Sequence, residues 1–191
     1  MKILQKLLFV STLGILVFSI TGCVNRIPEL NAVWSKENRK YERKLGVKFY
    51  KLSKEEAMNA MAFAYQRLGL IVSNMQYKTG FMYATAAAPR PLTPEEMQIV
   101  IDKEDARARR YVPLMMWSVF GDFESDFNTI FLETDDGVQI SISAKLRFVG
   151  NRNMIIPVSE FPPKALEIAY PKIWDEFEKI AFIQNKTLKN D

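Results

Sequence analysis

Val138 to Phe148 alternates without a break, with Val138, Ile140, Ile142, Ala144, Leu146 and Phe148 interleaved with Gln139, Ser141, Ser143, Lys145 and Arg147. A period of two puts the first set on one side of a strand and the second on the other. The sheet is therefore expected to be antiparallel, buried on one face and wet on the other. Phe127 to Thr134 supplies the preceding strand, and Asp135-Asp136-Gly137 joins the two. That tripeptide could suggest a metal loop, but between two strand-like runs it reads as a hairpin turn.

Upstream, Val47 to Leu52 has the β-branched and aromatic content of a strand. Ser53 and Glu56 are spaced as a capping box, and Ala57, Ala60, Met61, Ala64 and Leu68 give the following helix one apolar face up to Gly69. Leu70 to Met75 and Phe81 to Thr85 read as strands about a turn at Lys78-Thr79-Gly80. Ala86 to Pro91 is a loop. Thr93 and Glu96 form a second capping box, with Pro94 in the first helical position and a helix running to about Arg110. Arg107, Arg109 and Arg110 favour the negative end of that helix's dipole. The last helix, from about Pro163 to Gln184, has Ile173, Phe177, Ile180 and Ile183 as its core stripe, and Pro171 is expected to kink or restart it. Phe161 and Trp174 read as core packing, and Tyr65 and Tyr83 as half-buried. The expected fold is α+β, an antiparallel sheet in the order βαββ-α-ββα with its helices on one face. It forms a single domain over residues 47–184, followed by a tail at 185–191.

The N-terminus has a different character. Lys2 and Lys6 precede a short apolar run from Leu7 to Ile20, which ends in Ile20-Thr21-Gly22-Cys23. Such a run is too short to span a bilayer, which needs about 20 residues. The pattern resembles the signal peptide and lipobox of bacterial lipoproteins, with cleavage after residue 22 and acylation of Cys23. Two or three acyl chains give stable attachment where one is marginal. The resemblance further implies outer-membrane delivery, because Val24 rather than aspartate follows the cysteine. Residues 23–46 then read as the lipidated cysteine and a polar tether, dense in charge from Lys36 to Lys44, within which a short helix over 33–44 would have only a thin apolar face.

Cleavage leaves 169 of the 191 residues, enough for one core. Lys2 and Lys6 leave with the leader, so 24 basic residues face 22 acidic ones, a balance that argues against nucleic acid as a partner. The chain has no histidine, which removes imidazole zinc sites, His-based triads and His general bases. No Ser-x-x-Lys, Gly-x-Ser-x-Gly, phosphate loop or calcium loop replaces them. No catalytic residue, cofactor or metal is expected. Asp122, Glu124 and Asp126 could share a face toward a hard cation, or form a solvated acidic loop.

The element order, together with Ser53-x-x-Glu56, Leu68-Gly69-Leu70-Ile71-Val72 and Gly80-Phe81-Met82-Tyr83-Ala84, resembles small α/β domains of bacterial envelope lipoproteins. The nearest in pattern are the helix-grip-like domains of the C lipoprotein of the β-barrel assembly machinery. That resemblance covers about residues 47–184 and implies protein binding or scaffolding, without catalytic residues.

Within the mature chain, residues 112–121 are the most apolar stretch and follow the basic turn. With Met116, Trp117 and Phe120 beside Arg109 and Arg110, the stretch reads either as a loop tucked over the sheet or as an exposed patch for a partner or an anionic lipid surface. The expected function is a membrane-anchored, non-enzymatic envelope lipoprotein that binds another envelope protein. The alternative is a carrier of a lipid or other apolar ligand between the last helix and the sheet. Oligomeric state is not legible.

Overall fold

The computed structural model describes residues 26–112, 122–150 and 158–187, with side chains as far as residue 182. Nine elements follow in order: α1 (Ile27–Leu45), β1 (Val47–Tyr50), α2 (Lys54–Arg67), β2 (Ile71–Gln76), β3 (Phe81–Ala87), α3 (Pro94–Ala108), β4 (Phe123–Thr134), β5 (Gly137–Phe148) and α4 (Pro163–Thr187). The five strands form one antiparallel sheet in the order β1-β5-β4-β3-β2. From β1 onward this is the expected α+β order βαββ-α-ββα.

Both capping boxes close as the spacing requires: the Ser53 and Thr93 hydroxyls accept the amides of Glu56 and Glu96, whose carboxylates reach back to the cap amides. Gly69 takes the left-handed φ of +79° that ends α2. The β4–β5 hairpin turns at Asp135 and Asp136, with Thr134 opposite Gly137 and Phe127 opposite Ala144. Val138, Ile140, Ile142, Ala144 and Leu146 are buried, as are Phe123, Phe127 and Phe131 from β4. Ile173, Trp174, Phe177 and Ile180 of α4, Ala57, Ala60, Met61 and Ala64 of α2, and Phe161 complete the core. Tyr65 is fully rather than half buried, its hydroxyl paired with Thr129 Oγ1 at 2.6 Å.

Other expectations change as well. The polar tether is largely a helix: α1 runs 19 residues and buries Leu30, Trp34 and Asn38. Leu30 and Trp34 pack with Ala108 and Val158 in a second apolar cluster, and Arg107 Nη1 of α3 donates to Glu37 at 2.9 Å. Of the two outcomes expected at Pro171, a restart does not occur, because α4 runs through it unbroken. Glu124 and Asp126 belong to β4 rather than to an acidic loop, and α4 continues to Thr187, into what read as a tail. The Ile183 side chain lies outside the described residues.

α1 also finishes the sheet. β1 covers only Val138 to Ser141 of β5, so the amides farther along β5 need other acceptors. Ile142 donates to the Gly46 carbonyl at 2.8 Å, Ala144 to the Glu42 carboxylate, and Leu146 to the Ser159 carbonyl at 3.2 Å. The helix thus blunts an edge that would otherwise invite strand addition.

Candidate interaction surface

Among the described residues the helices pack on one face of the sheet and none lies across the other, and the register fixes what that open face displays. Paired residues of antiparallel strands point the same way. One row therefore runs Phe49–Gln139–Leu132, and the next runs Val47–Ser141–Ile130–Phe81–Gln76. Beyond them come Ser143–Asn128–Tyr83–Asn74, then Lys145–Asp126–Thr85–Ile71, then Arg147–Glu124–Ala87. The face is divided in two. Near the β4–β5 turn it is apolar: Phe49 is 48% exposed, Leu132 51%, Ile130 45% and Val47 38%.

The opposite half carries the charges, which are paired with one another, along with the exposed Ile71 at its β2 edge. Arg147 Nε donates to Asp126 at 2.8 Å, its Nη2 reaches Glu124 and the Tyr83 hydroxyl, and Thr85 Oγ1 donates to Asp126 at 2.9 Å. Burial alone would raise the Asp126 carboxyl, but the bonds from Arg147, Tyr83 and Thr85 outweigh it and hold the group below the usual carboxylate range. Asp126 is thereby stabilised as an anion with its oxygens already occupied, which does not suit a general acid. Among the described residues no group of three or more His, Cys, Asp or Glu side chains is placed to hold a metal ion.

Beside this face, where α1 meets β5, Glu160 is 6% exposed and accepts from Lys145 and from Asn38 Nδ2. Glu42 lies next to them, and burial raises its carboxyl above the usual value, against the pull of Lys145 and the Ala144 amide. A shallow recess of about 210 Å³ opens here, lined by Glu42, Arg43, Val47, Asn128, Ile130 and residues 141–143. A second, of about 450 Å³, runs along α4 and is walled by Glu96, Glu167, Lys172, Asp175, Glu176 and Lys179 with Leu68, Ile168 and Pro171.

Of the residues singled out in the sequence, Cys23, Met116, Trp117 and Phe120 lie outside the described residues. Arg109 and Arg110 are exposed just beyond α3; Arg109 Nε donates to Asp105 at 2.7 Å, and the Arg110 carbonyl accepts from Arg26 Nη1 at 3.1 Å. They stand at the far end of the molecule from the apolar rows. The sequence reading passed over those rows because Ile130 and Leu132 sit inside a run that looks uniformly apolar. Carrying the hairpin register back across Asp135-Asp136 puts both out of phase with Phe127 and Phe131, a signal present in the chain.

No family model, curated protein or solved structure matches this chain. Among the described residues no helix is long and apolar enough to cross a membrane.

Proposed function

We propose that this chain is a lipid-anchored envelope protein, acylated at Cys23 and carried to the outer membrane, that binds a second envelope protein through the open face of its sheet and performs no catalysis. The observation that carries this reading is the exposure of Phe49, Val47, Leu132 and Ile130 on two adjacent rows of the sheet, with the half-buried Phe81 beside Ile130. Exposed apolar side chains gathered at one end of a sheet face, with Gln139 and Ser141 between those of β1 and those of β4 and paired charges at the other end, suit a mixed interface with a polar rim. The chain has no histidine, and the ion pairs already hold Glu124 and Asp126, which supports binding over chemistry.

A lipid carrier needs an enclosed, mostly apolar cavity of about 300–1,000 Å³. Among the described residues, the recess beside α1 is smaller than that and the one along α4 has charged walls.

In-cell photocrosslinking tests the proposal, with the probe placed in turn at Phe49, Leu132 and, as control, Asp102 on the exposed side of α3. Discrete adducts to another protein from the first two sites alone are expected. Adducts to lipid only, to a second copy only, or equally from all three sites would overturn it.

A further inference from the structure

We infer that the end of the molecule formed by the start of α1 and the end of α3 lies directly on the bilayer surface, and that the apolar rows of the sheet are thereby held away from it. The inference rests on the proposed acylation of Cys23. A polar tether would have let the domain float at any angle. Instead the helix begins at Ile27 and is fastened along its length by Leu30, Trp34 and Asn38. Between the acylated residue and Arg26 there are three peptide units, which reach about 11 Å even when fully extended. That is comparable to the depth of the headgroup layer, so the anchor and the folded domain cannot separate.

The residues at this end suit such a position. Arg26, Arg109 and Arg110 are exposed together, the Arg26 guanidinium lies 5.9 Å from the Tyr111 ring centroid, and Ile27, Tyr111 and Val112 pack against the cluster of Leu30 and Trp34. Arg26 pairs with Glu29 at 3.7 Å and Arg109 with Asp105 at 2.7 Å, while Arg107 is held by Glu37 at 2.9 Å. The exposed guanidiniums and the half-buried aromatic ring match phospholipid headgroups, which offer phosphate acceptors above an apolar boundary. The occupant is therefore a lipid surface; the charge favours anionic lipid, but the spacer length decides the contact.

The axis of α1 then fixes where the other end stands. Nineteen residues at 1.5 Å each span about 28 Å. Asn31 near the start of α1 accepts from the Ser159 amide beside Leu146, whereas Gly46 at its end bonds Ile142, and β1 continues the same way to Phe49 opposite Gln139. Phe49 and Leu132 consequently lie toward the end of the sheet away from the anchor, beside the β4–β5 turn, presented to the aqueous compartment.

The test uses the full lipidated chain in vesicles of phosphatidylethanolamine with a minority of phosphatidylglycerol. Acylation occupies the single native thiol, so one engineered cysteine carries a unique nitroxide. Ala32→Cys and Ala106→Cys, at exposed positions near the inferred contact, are compared with Asp135→Cys at the β4–β5 turn. Transfer from detergent to vesicles is expected to cut collisions with a water-soluble nickel chelate several-fold at the first two positions and leave the third unchanged. Equal accessibility at all three positions, with the acyl chains present by intact mass, would overturn the orientation alone. A mass without acyl chains, or release from cell membranes by carbonate, would overturn the anchor and the orientation with it.

Discussion

Asn38 of α1 donates from Nδ2 to the Phe161 carbonyl at 3.0 Å, joining residues 123 positions apart inside a buried contact. The same amide donates to Glu160 at 3.2 Å, which in turn receives Lys145 of β5. One side chain on a segment that reads as a tether thus binds helix, loop and sheet together.

Trp34→Ala removes a fully buried ring from the small cluster with Leu30, Ala108 and Val158. A loss of about 3–5 kcal/mol is expected from the transfer and cavity terms together. Urea unfolding followed by far-UV circular dichroism measures it. Amide exchange should separate two outcomes: faster exchange confined to 27–45 if α1 alone lifts off, or faster exchange throughout if the domain unfolds as a unit. Little change in either readout would mean that α1 is not part of the cooperative fold.

Gly46 lies where α1 hands over to β1, and a Cβ there would meet the carbonyls of Glu42 and Ile142, each at 2.7 Å. Backbone atoms cannot swing aside as a flexible side chain can. Gly46→Ala is expected to cost about 1–3 kcal/mol through forced displacement, visible as a lower urea midpoint at unchanged slope. Equal stability would show that the junction is looser than these distances imply.

Two carboxylates lean in opposite directions with pH. Asp126 titrates below its usual value, so its contribution is complete above the ordinary carboxyl pKa and disappears as pH falls through the lower folded value. Replacing its donor, Arg147→Met, should make the acid limb of the stability curve shallower. At neutral pH it should cost no more than about 1 kcal/mol, because the pair is partly exposed. Glu42 titrates above its usual value because burial disfavours the anion, so its contribution is present in acid and lost as pH rises through the raised value. Glu42→Gln keeps an acceptor for the Ala144 amide and removes the charge; stability should then vary less with pH from the ordinary carboxyl value upward. Thermal melts across that range decide each case, and parallel curves for variant and parent would contradict both assignments.

Phe49→Ser and Leu132→Ser alter exposed sites on the open face. Stability should change by less than about 1 kcal/mol, within the range of strand preference, while partner adducts from a probe at Val47 fall sharply. A large loss of stability with adducts unchanged would mark these side chains as structural.

How much was legible follows the range of the interactions. The capping boxes of α2 and α3, the left-handed Gly69 and the Asp135-Asp136 turn depend on neighbours a few residues apart, so the sequence carries them unaided. The inward set of β5 was readable from its period of two alone. α1 was not: Ile27, Leu30, Trp34, Tyr41 and Leu45 do recur at helical spacing, but Asn38 and a dense run of charge interrupt the stripe. A polar residue there counts against burial until Phe161 and Glu160 arrive from 122 or more positions away to accept from its Nδ2.

The same distinction governs the candidate surface. Local pattern determined that the sheet would have one dry and one open side, because alternation needs no partner to be seen. Only the tertiary pairing of β1 with β5 decided that Phe49 would join Leu132 and Ile130 to make half of the open side apolar. A strand's period fixes which residues share its face, whereas the composition of a sheet's face depends on which strands lie side by side, and long-range packing sets that order.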